Sequence, residues 1–259
     1  MFYIIQRNTF KQVHFGLLTE ALQRYGLEYE VANCIPFLNE VEFTTERKDV
    51  FCFGAYGMGT NYKRYGWTPG SLMNENHNFE VYSKKYGLEN LLNGDGYIIN
   101  FTDKIPLKDD SFFVRPTKDT KVFPGQVYQK DEWEWYVSHC VENNTQNIIT
   151  DETKVLISKL KHIQQEVRCW VVGGKVVTAS RYKLGSNPDF KNYDDESFYV
   201  DFAQKMVDIY QPARAFVLDV CLSNDELKIV EVNNINSSGF YHADLSKLLL
   251  ALENEFNRG

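Results

Sequence analysis

Residues 215–233 read AFVLDVCLSNDELKIVEVN. Two β-rich runs, Ala215 to Leu222 and Leu227 to Asn233, flank the turn residues Ser223-Asn224-Asp225-Glu226, so an antiparallel hairpin is expected. With the turn centred on Asp225, Asp219 falls directly across from Glu231, and Asn233 shares the face of Glu231 two residues on. Each acid interrupts an apolar run, which argues against full exposure. Two opposed carboxylates at about 5 Å, with an effective dielectric near 20, repel by roughly 3 kcal/mol, and like charges directly opposed destabilise a strand pair. A divalent cation resolves that conflict, and the oxygen-only set Asp219, Glu231 and Asn233 suits Mg²⁺. The bland alternative is an edge hairpin with incidental acids.

Upstream, Val167 to Val172 and Lys175 to Ser180 flank Gly173-Gly174, a dipeptide that supplies the positive φ angles of a type I′ turn. Such a turn sets Val172 opposite Lys175 and Arg168 opposite Ala179. One face then carries Val167, Cys169, Val171, Val176 and Thr178 and is the expected core face. The other carries Glu166, Arg168, Trp170, Arg181 and Lys183, so three cations and one acid converge at the open end. A solvated salt-bridge face accounts for that pattern. So does an anion site, because Arg and Lys donors on rigid strands suit phosphate oxygens. Downstream, Asn234 to Tyr241 leads into a helix marked by Leu245, Leu248, Leu249, Leu252 and Phe256, which Ser237 or Ser238 can cap.

The amino-terminal region alternates strand and helix. Phe2 to Ile5 reads as a strand, and Thr9 to Gln12 has capping-box form. Phe15, Leu18, Leu22 and Tyr25 follow at helical spacing, with Gly26 as a stop. Val50 to Phe53 is a further strand, running into the glycines at 54, 57 and 59. Their G-x-x-G-x-G spacing is not a dinucleotide fingerprint, and a structural role with an aromatic loop through Tyr62, Tyr65 and Trp67 is expected. A helix around Phe79 to Leu92 and a strand at Tyr97 to Phe101 come next. Asp103 to Pro106 marks a boundary, after which strands with tight turns dominate. The expected class is α/β followed by α+β, in two units of residues 1–105 and 106–259.

Across 259 residues, 43% hydrophobic and 15% aromatic content is enough for a sizeable core and excludes a mainly disordered or coiled-coil chain. A net charge of -7 disfavours non-specific nucleic-acid binding. No apolar run approaches the roughly 20 residues of a membrane helix. The five cysteines form no C-x-x-C pair, and residues 1–7 lack the basic and apolar regions of a signal peptide, so free thiols and a cytoplasmic location are expected. The five histidines show no metal spacing, and no Ser-His-Asp or Cys-His set is evident.

The ordered set Phe112-Phe113-Val114-Arg115-Pro116, Glu166-Val167-Arg168 with its Gly-Gly turn, Val217-Leu218-Asp219-Val220, and Val230-Glu231-Val232-Asn233 with a later Ser-Gly resembles the ATP-grasp superfamily over residues 106–245. It is most similar to a clade of small bacterial and phage members with an altered Lys/Arg pattern. The resemblance implies an ATP-grasp fold preceded by a smaller α/β domain. Residues 106–165 would form the adenine and lid lobe, and 166–259 the metal and phosphate lobe. It also implies ATP, Mg²⁺ and an ADP-forming ligation of a small-molecule or peptide carboxylate to an amine or thiol through an acyl phosphate.

Carried over by position, Asp219, Glu231 and Asn233 would hold Mg²⁺. Arg168 and Arg181 would contact the γ-phosphate and the acyl phosphate, with Lys183 as a further phosphate contact. Glu166 matches the acid on the ribose hydroxyls, and the backbone across Ile157, Ser158, Lys159, Leu160 and His162 falls along adenine. Arg115 stands where many relatives have a phosphate-binding lysine. The loop 117–125 has a single Gly, so Lys121 would compensate as a point charge. Asn236, Ser238 and Gly239 fall in the substrate loop. Two alternatives stay open: a nucleotide-binding module without ligation, and phosphoryl transfer to a non-carboxylate acceptor.

Overall fold

The computed structural model describes residues 1–35, 40–119, 122–143, 149–193 and 197–257. Its first elements are β1 (Phe2–Gln6), α1 (Gln12–Arg24), β2 (Tyr29–Ala32), β3 (Cys34–Ile35), β4 (Glu40–Val41), β5 (Val50–Phe53), α2 (Tyr56–Tyr65) and α3 (Phe79–Tyr86). Then come β6 (Tyr97–Asn100), β7 (Ser111–Pro116), β8 (Gln126–Gln129), α4 (Lys130–Glu142) and β9 (Lys154–Ser158). The remainder is β10 (Gln165–Val172), β11 (Lys175–Leu184), β12 (Asn187–Asn192), α5 (Phe198–Ile209), β13 (Ala215–Ser223), β14 (Glu226–Asn233) and α6 (Leu245–Phe256).

A parallel sheet of order β2-β1-β5 opens the chain. Strands covered on both faces explain its unbroken apolar runs, and all four residues of β5 are buried. Two local expectations fail here. α1 is capped by Lys11 without a side-chain bond, and Thr9 Oγ1 is buried without a partner, so no capping box forms. The glycine-rich stretch after β5 is helical, with Gly66 closing α2 at φ +68°. Glycine disfavours a helix by propensity alone, but burial of Met58 beside Trp67 overrides it.

Two antiparallel sheets follow, β12-β11-β10-β13-β14 and β6-β9-β7-β8. β6 pairs with β9, and Phe79 and Tyr82 of α3 pack with Val207 of α5 and Val232 of β14. Chain before residue 105 therefore contributes to the later sheets. One face of the five-stranded sheet packs α3 and α5 around Val167, Cys169, Phe216, Leu218 and Val232. The opposite face packs α6, α1 and the first sheet around Trp170, Val172, Ala215 and Val217. The four-stranded sheet has its own core with α4, centred on Phe112, Val155 and Trp133. Each fully buried Leu, Val or Phe in these layers contributes about 1.5–3 kcal/mol of transfer free energy.

β-Bulges set which side chains share a face. In β13–β14 the turn is the two-residue Asn224-Asp225 at φ 49° and 63°, with Ser223 across from Glu226. That register alone would place Asp219 opposite Val230. A bulge between Asp219 and Val220 takes up the extra residue and sets Asp219 opposite Glu231. The expected pairing thus forms, by a different route. In β10–β11, Val172 lies opposite Lys175, but a bulge at Trp170/Val171 puts Arg168 opposite Ser180 and Val167 opposite Arg181, and a second at Glu166/Val167 puts Glu166 opposite Lys183. Ala179 rather than Thr178 therefore joins the core facing α5. The helix after β14 is capped by Asp244, whose carboxylate accepts from the Ser246 and Lys247 amides, and not by Ser237 or Ser238. All five cysteines are free, and among the described residues no helix is long and apolar enough to cross a membrane.

Candidate functional site

The site lies where apolar strands turn polar along their length. On β10, Val172 and Trp170 sit in the core shared with α6, and Arg168 and Glu166 continue the same face beyond it. On β13, Val217 is core and Asp219 follows, paired with Arg168 in the register. Asp219 is 0% exposed. Arg168 grips it in bidentate fashion, Nε to Oδ1 at 2.8 Å and Nη2 to Oδ2 at 2.7 Å. From β14, Asn233 Nδ2 donates to Asp219 Oδ2 at 3.1 Å and to Glu231 Oε1 at 2.9 Å. Glu231 also meets Arg115 Nη1 of β7 at 2.9 Å, which joins the two antiparallel sheets.

Arginines therefore offset the two opposed acids. Burial holds the Asp219 carboxyl above its ordinary value, although the adjacent Arg168 pulls it part of the way down. Burial alone would lower the Arg168 guanidinium, but Asp219 outweighs it and keeps the cation firmly charged. Arg168 also lies over two rings, 5.6 Å from the Tyr182 centroid and 5.2 Å from that of Tyr241. Tyr241 holds its ring there at φ +49°, a conformation that costs a bulky residue energy.

The remaining predicted residues divide. Glu166 is buried and accepts from Tyr182 Oη at 2.5 Å and Lys183 Nζ at 3.0 Å, forming a polar group beside Arg168. Arg181 does not join it, which corrects the face expected from strict alternation. The bulge at Trp170/Val171 sets Arg181 across from Val167 on the α5 side, where it bonds Asp189 at 2.9 Å and lies near Tyr193. Ile157 and Ser158 end β9, Ile157 in the core and Ser158 Oγ bonded to Asn93 at 2.9 Å. Lys159, Leu160 and His162 are exposed on the connection from β9 to β10. Lys121 lies outside the described residues.

In the loop after β14, the Asn236 amide is spent on the backbone: Nδ2 donates to Cys52 O at 2.6 Å, and Oδ1 accepts from Leu72 N at 2.9 Å. Ser238 Oγ donates to Asn234 O at 2.7 Å. The Gly239 carbonyl faces the site and accepts from Arg168 Nη1 at 3.4 Å.

Three contributors escaped the sequence reading. Asp119, buried, accepts from the Asn234 amide at 3.1 Å and ties the segment after β7 to the end of β14. Tyr82 of α3 is fully buried, close enough to Arg115, Glu231 and Asp119 to feel their charges, and burial pushes its hydroxyl up to about 12. Tyr182 is the bulge residue. None carries a motif, and Asp119 alone shows a signal, as an acid three residues after a largely apolar strand ending in Arg-Pro.

Does the oxygen set fit a hard divalent cation? Asn233 Oδ1 is buried and has no hydrogen-bond partner, beside carboxylates that carry negative charge. The Asn233 Nδ2 lies between the two carboxylates, and the buried Oδ1 of the same amide is an unfilled acceptor that such a cation could satisfy, so the residue types fit. Among the described residues no group of three His, Cys, Asp or Glu could hold a metal ion, so the amide is needed to complete the set.

The family model for the ATP-grasp domain, R2-K clade family 3, matches residues 62–252. The chain belongs to this family. No curated protein matches it. Among solved structures, this ATP-grasp chain is similar to D-cycloserine synthetase DcsG, with a TM-score of 0.62 at 11% identity over 98% of this chain and 99% of that one. It is also similar to D-alanine–D-alanine ligase from Bacillus anthracis complexed with ATP, with a TM-score of 0.60 at 14% identity over 100% and 98%. A third similar structure is the ATP-grasp ligase PsnB with a phosphomimetic variant of its minimal precursor, Mg and ADP. It gives a TM-score of 0.54 at 13% identity over 98% of each chain. These likenesses establish the fold.

Proposed function

We propose that this ATP-grasp chain is an ATP- and Mg²⁺-dependent, ADP-forming ligase that joins a carboxylate to an amine, or to a thiol, through an acyl phosphate. The observation that carries the reading is that Asp219, Glu231 and Asn233, whose Oδ1 is buried and unfilled, share one face, with Arg168 and Arg115 in contact with the acids. Bound there, Mg²⁺ would neutralise charge on the β- and γ-phosphates of ATP.

Each chain residue then has a defined task. Asp219, Glu231 and Asn233 supply the oxygens. Arg168 and Arg115 hold the acids in register, and their fixed N–H forks suit phosphoryl oxygens that develop charge during transfer. Glu166, at the outer end of the polar face, would meet the ribose hydroxyls, and Lys183 beside it would meet a phosphate. The backbone of the connection 157–162 would run along adenine. No side-chain nucleophile is needed: a substrate carboxylate oxygen attacks the γ-phosphorus and ADP leaves. The second substrate then attacks the acyl carbon, and phosphate departs. Positioning and charge neutralisation are the protein's share of that chemistry. The reading keeps a cytoplasmic setting, which the five free cysteines support.

The test is ADP release from MgATP with pooled amino acids and short peptides, with hydroxylamine added to trap acyl phosphate as hydroxamate. Carboxylate-dependent ADP release with hydroxamate is expected. Nucleotide binding without turnover on any acceptor would point to a binding module, and ADP without amide or hydroxamate to phosphoryl transfer elsewhere.

A further inference from the structure

His14 of α1 reaches the phosphate end of the site from the amino-terminal unit. A Cβ on Gly239 would lie 3.3 Å from His14 Nδ1, and the carbonyl of the same glycine accepts from Arg168 Nη1 at 3.4 Å. The imidazole and the guanidinium thus flank one residue. The His14 ring also meets Tyr241 edge-on, with centroids 5.6 Å apart and planes at 82°. Among the described residues the ring makes no hydrogen bond, and it is half-buried rather than enclosed.

We infer that His14 is the general base for the second half-reaction, taking a proton from the ammonium group of the incoming amine. This rests on the ligase reading above. The amine arrives as R–NH3⁺, and a His14 ring nitrogen accepts one proton. The freed lone pair forms the C–N bond at the acyl carbon. The C–O bond to phosphate breaks with its electron pair on the phosphate, which takes up the second N–H proton. Atoms and charge balance with no further reactant.

The surroundings favour a neutral, proton-accepting ring. Burial first, then the charges of Lys11 at the start of α1, Arg168 on β10 and His242 beyond Tyr241, lower the His14 pKa from its ordinary value. Tyr241, the remaining titratable neighbour, is itself raised by burial and is uncharged near neutrality. The base form is therefore available through neutral pH, and the acidic limb of amide formation is expected below 6.5, the ordinary histidine value.

The experiment compares wild type, His14→Gln and His14→Ala with MgATP and pooled amino acids. The nucleophile is either hydroxylamine, largely unprotonated at neutral pH, or ammonium together with the pooled amines. A base is needed only for the protonated nucleophiles. Amide formation is expected to fall by about 10²-fold or more in both variants, while hydroxamate falls far less. Added imidazole is expected to restore amide in His14→Ala, and the acidic limb of amide formation is expected to vanish in His14→Gln. Equal loss of hydroxamate and amide, loss of neither, or wild type giving hydroxamate but no amide would each overturn the assignment. Wild type giving no hydroxamate at all would instead overturn the ligase reading and take this inference with it. Thermal melts confirm that both variants fold.

Discussion

The two ion pairs that neutralise the facing acids are built differently. Arg168 and Asp219 sit on paired strands of one sheet, with side chains 9% and 1% exposed and two bonds of 2.8 and 2.7 Å. Arg115 and Glu231 come from different sheets and meet at 2.9 Å, with side chains 10% and 27% exposed. The first is part of a lobe's interior. The second is a contact between two sheets, with its acid partly open to solvent. Chemical likeness, acid with arginine in each case, thus conceals a difference in mechanical role.

Asp219→Asn should break the first pair with the largest effect. A buried guanidinium left without its acid costs about 3–5 kcal/mol, so urea unfolding should shift strongly, and Mg²⁺-dependent turnover should disappear. From the sequence, relief of carboxylate repulsion is the only visible consequence of this change and a nearly intact fold would be expected. Arg168 reverses that expectation. Adding Arg168→Met to Asp219→Asn should recover much of the stability but none of the turnover; no recovery would show that the loss lies elsewhere.

An acid ramp asks whether the pairs are what fails first. His77 lies away from both and is buried at 1% exposure, and burial lowers its pKa to about 4. Its folded value lies below the unfolded one, so the unfolded chain binds the extra proton and stability falls as pH drops below 6.5. Between pH 6.5 and 5 the loss is about 2 kcal/mol, read from melts at each pH. His77→Gln should flatten that slope; an unchanged slope would assign it to other groups.

Arg115→Gln should cost about 1 kcal/mol in unfolding, because Glu231 can turn to solvent, yet should lower ADP release by at least ten-fold. A stability loss as large as that of Asp219→Asn would erase the distinction between the two pairs. Arg181→Gln is expected to have the smallest effect, within about 0.2–1 kcal/mol and with ADP release near wild type, because its partner Asp189 is 35% exposed. A steep fall in ADP release would return Arg181 to the site.

The ribbons and most of their core residues are legible because strand alternation and turn residues are local properties. Asp219 meets Glu231 as expected, but through a bulge and not through the turn expected from sequence. The bulges are not legible. One extra residue in a strand reverses the facing of everything beyond it, and no composition rule announces it. That is why strict alternation puts Arg181 on the wrong face and Thr178 in the wrong core. Arg115 is legible as a cation at a family position, but its contact with Glu231 depends on how two sheets meet. Tyr82, Asp119 and His14 come from α3, the segment after β7 and α1, and only tertiary folding brings them near β14. The helix α2 escapes for a different reason: its glycines argue against a helix locally, and burial of Met58 decides otherwise.

Ile229 and Val232 lie three positions apart yet both face α5, since the bulge inserts Val230 between them. Excising Val230 would remove the bulge and leave the facing intact, because the two-residue turn would then set Glu231 opposite Asp219 by itself while Ile229 and Val232 still face α5. Spacing is thus forgiving at this one position: a one-codon deletion that removes only this valine should be tolerated far better than replacement of the glutamate itself.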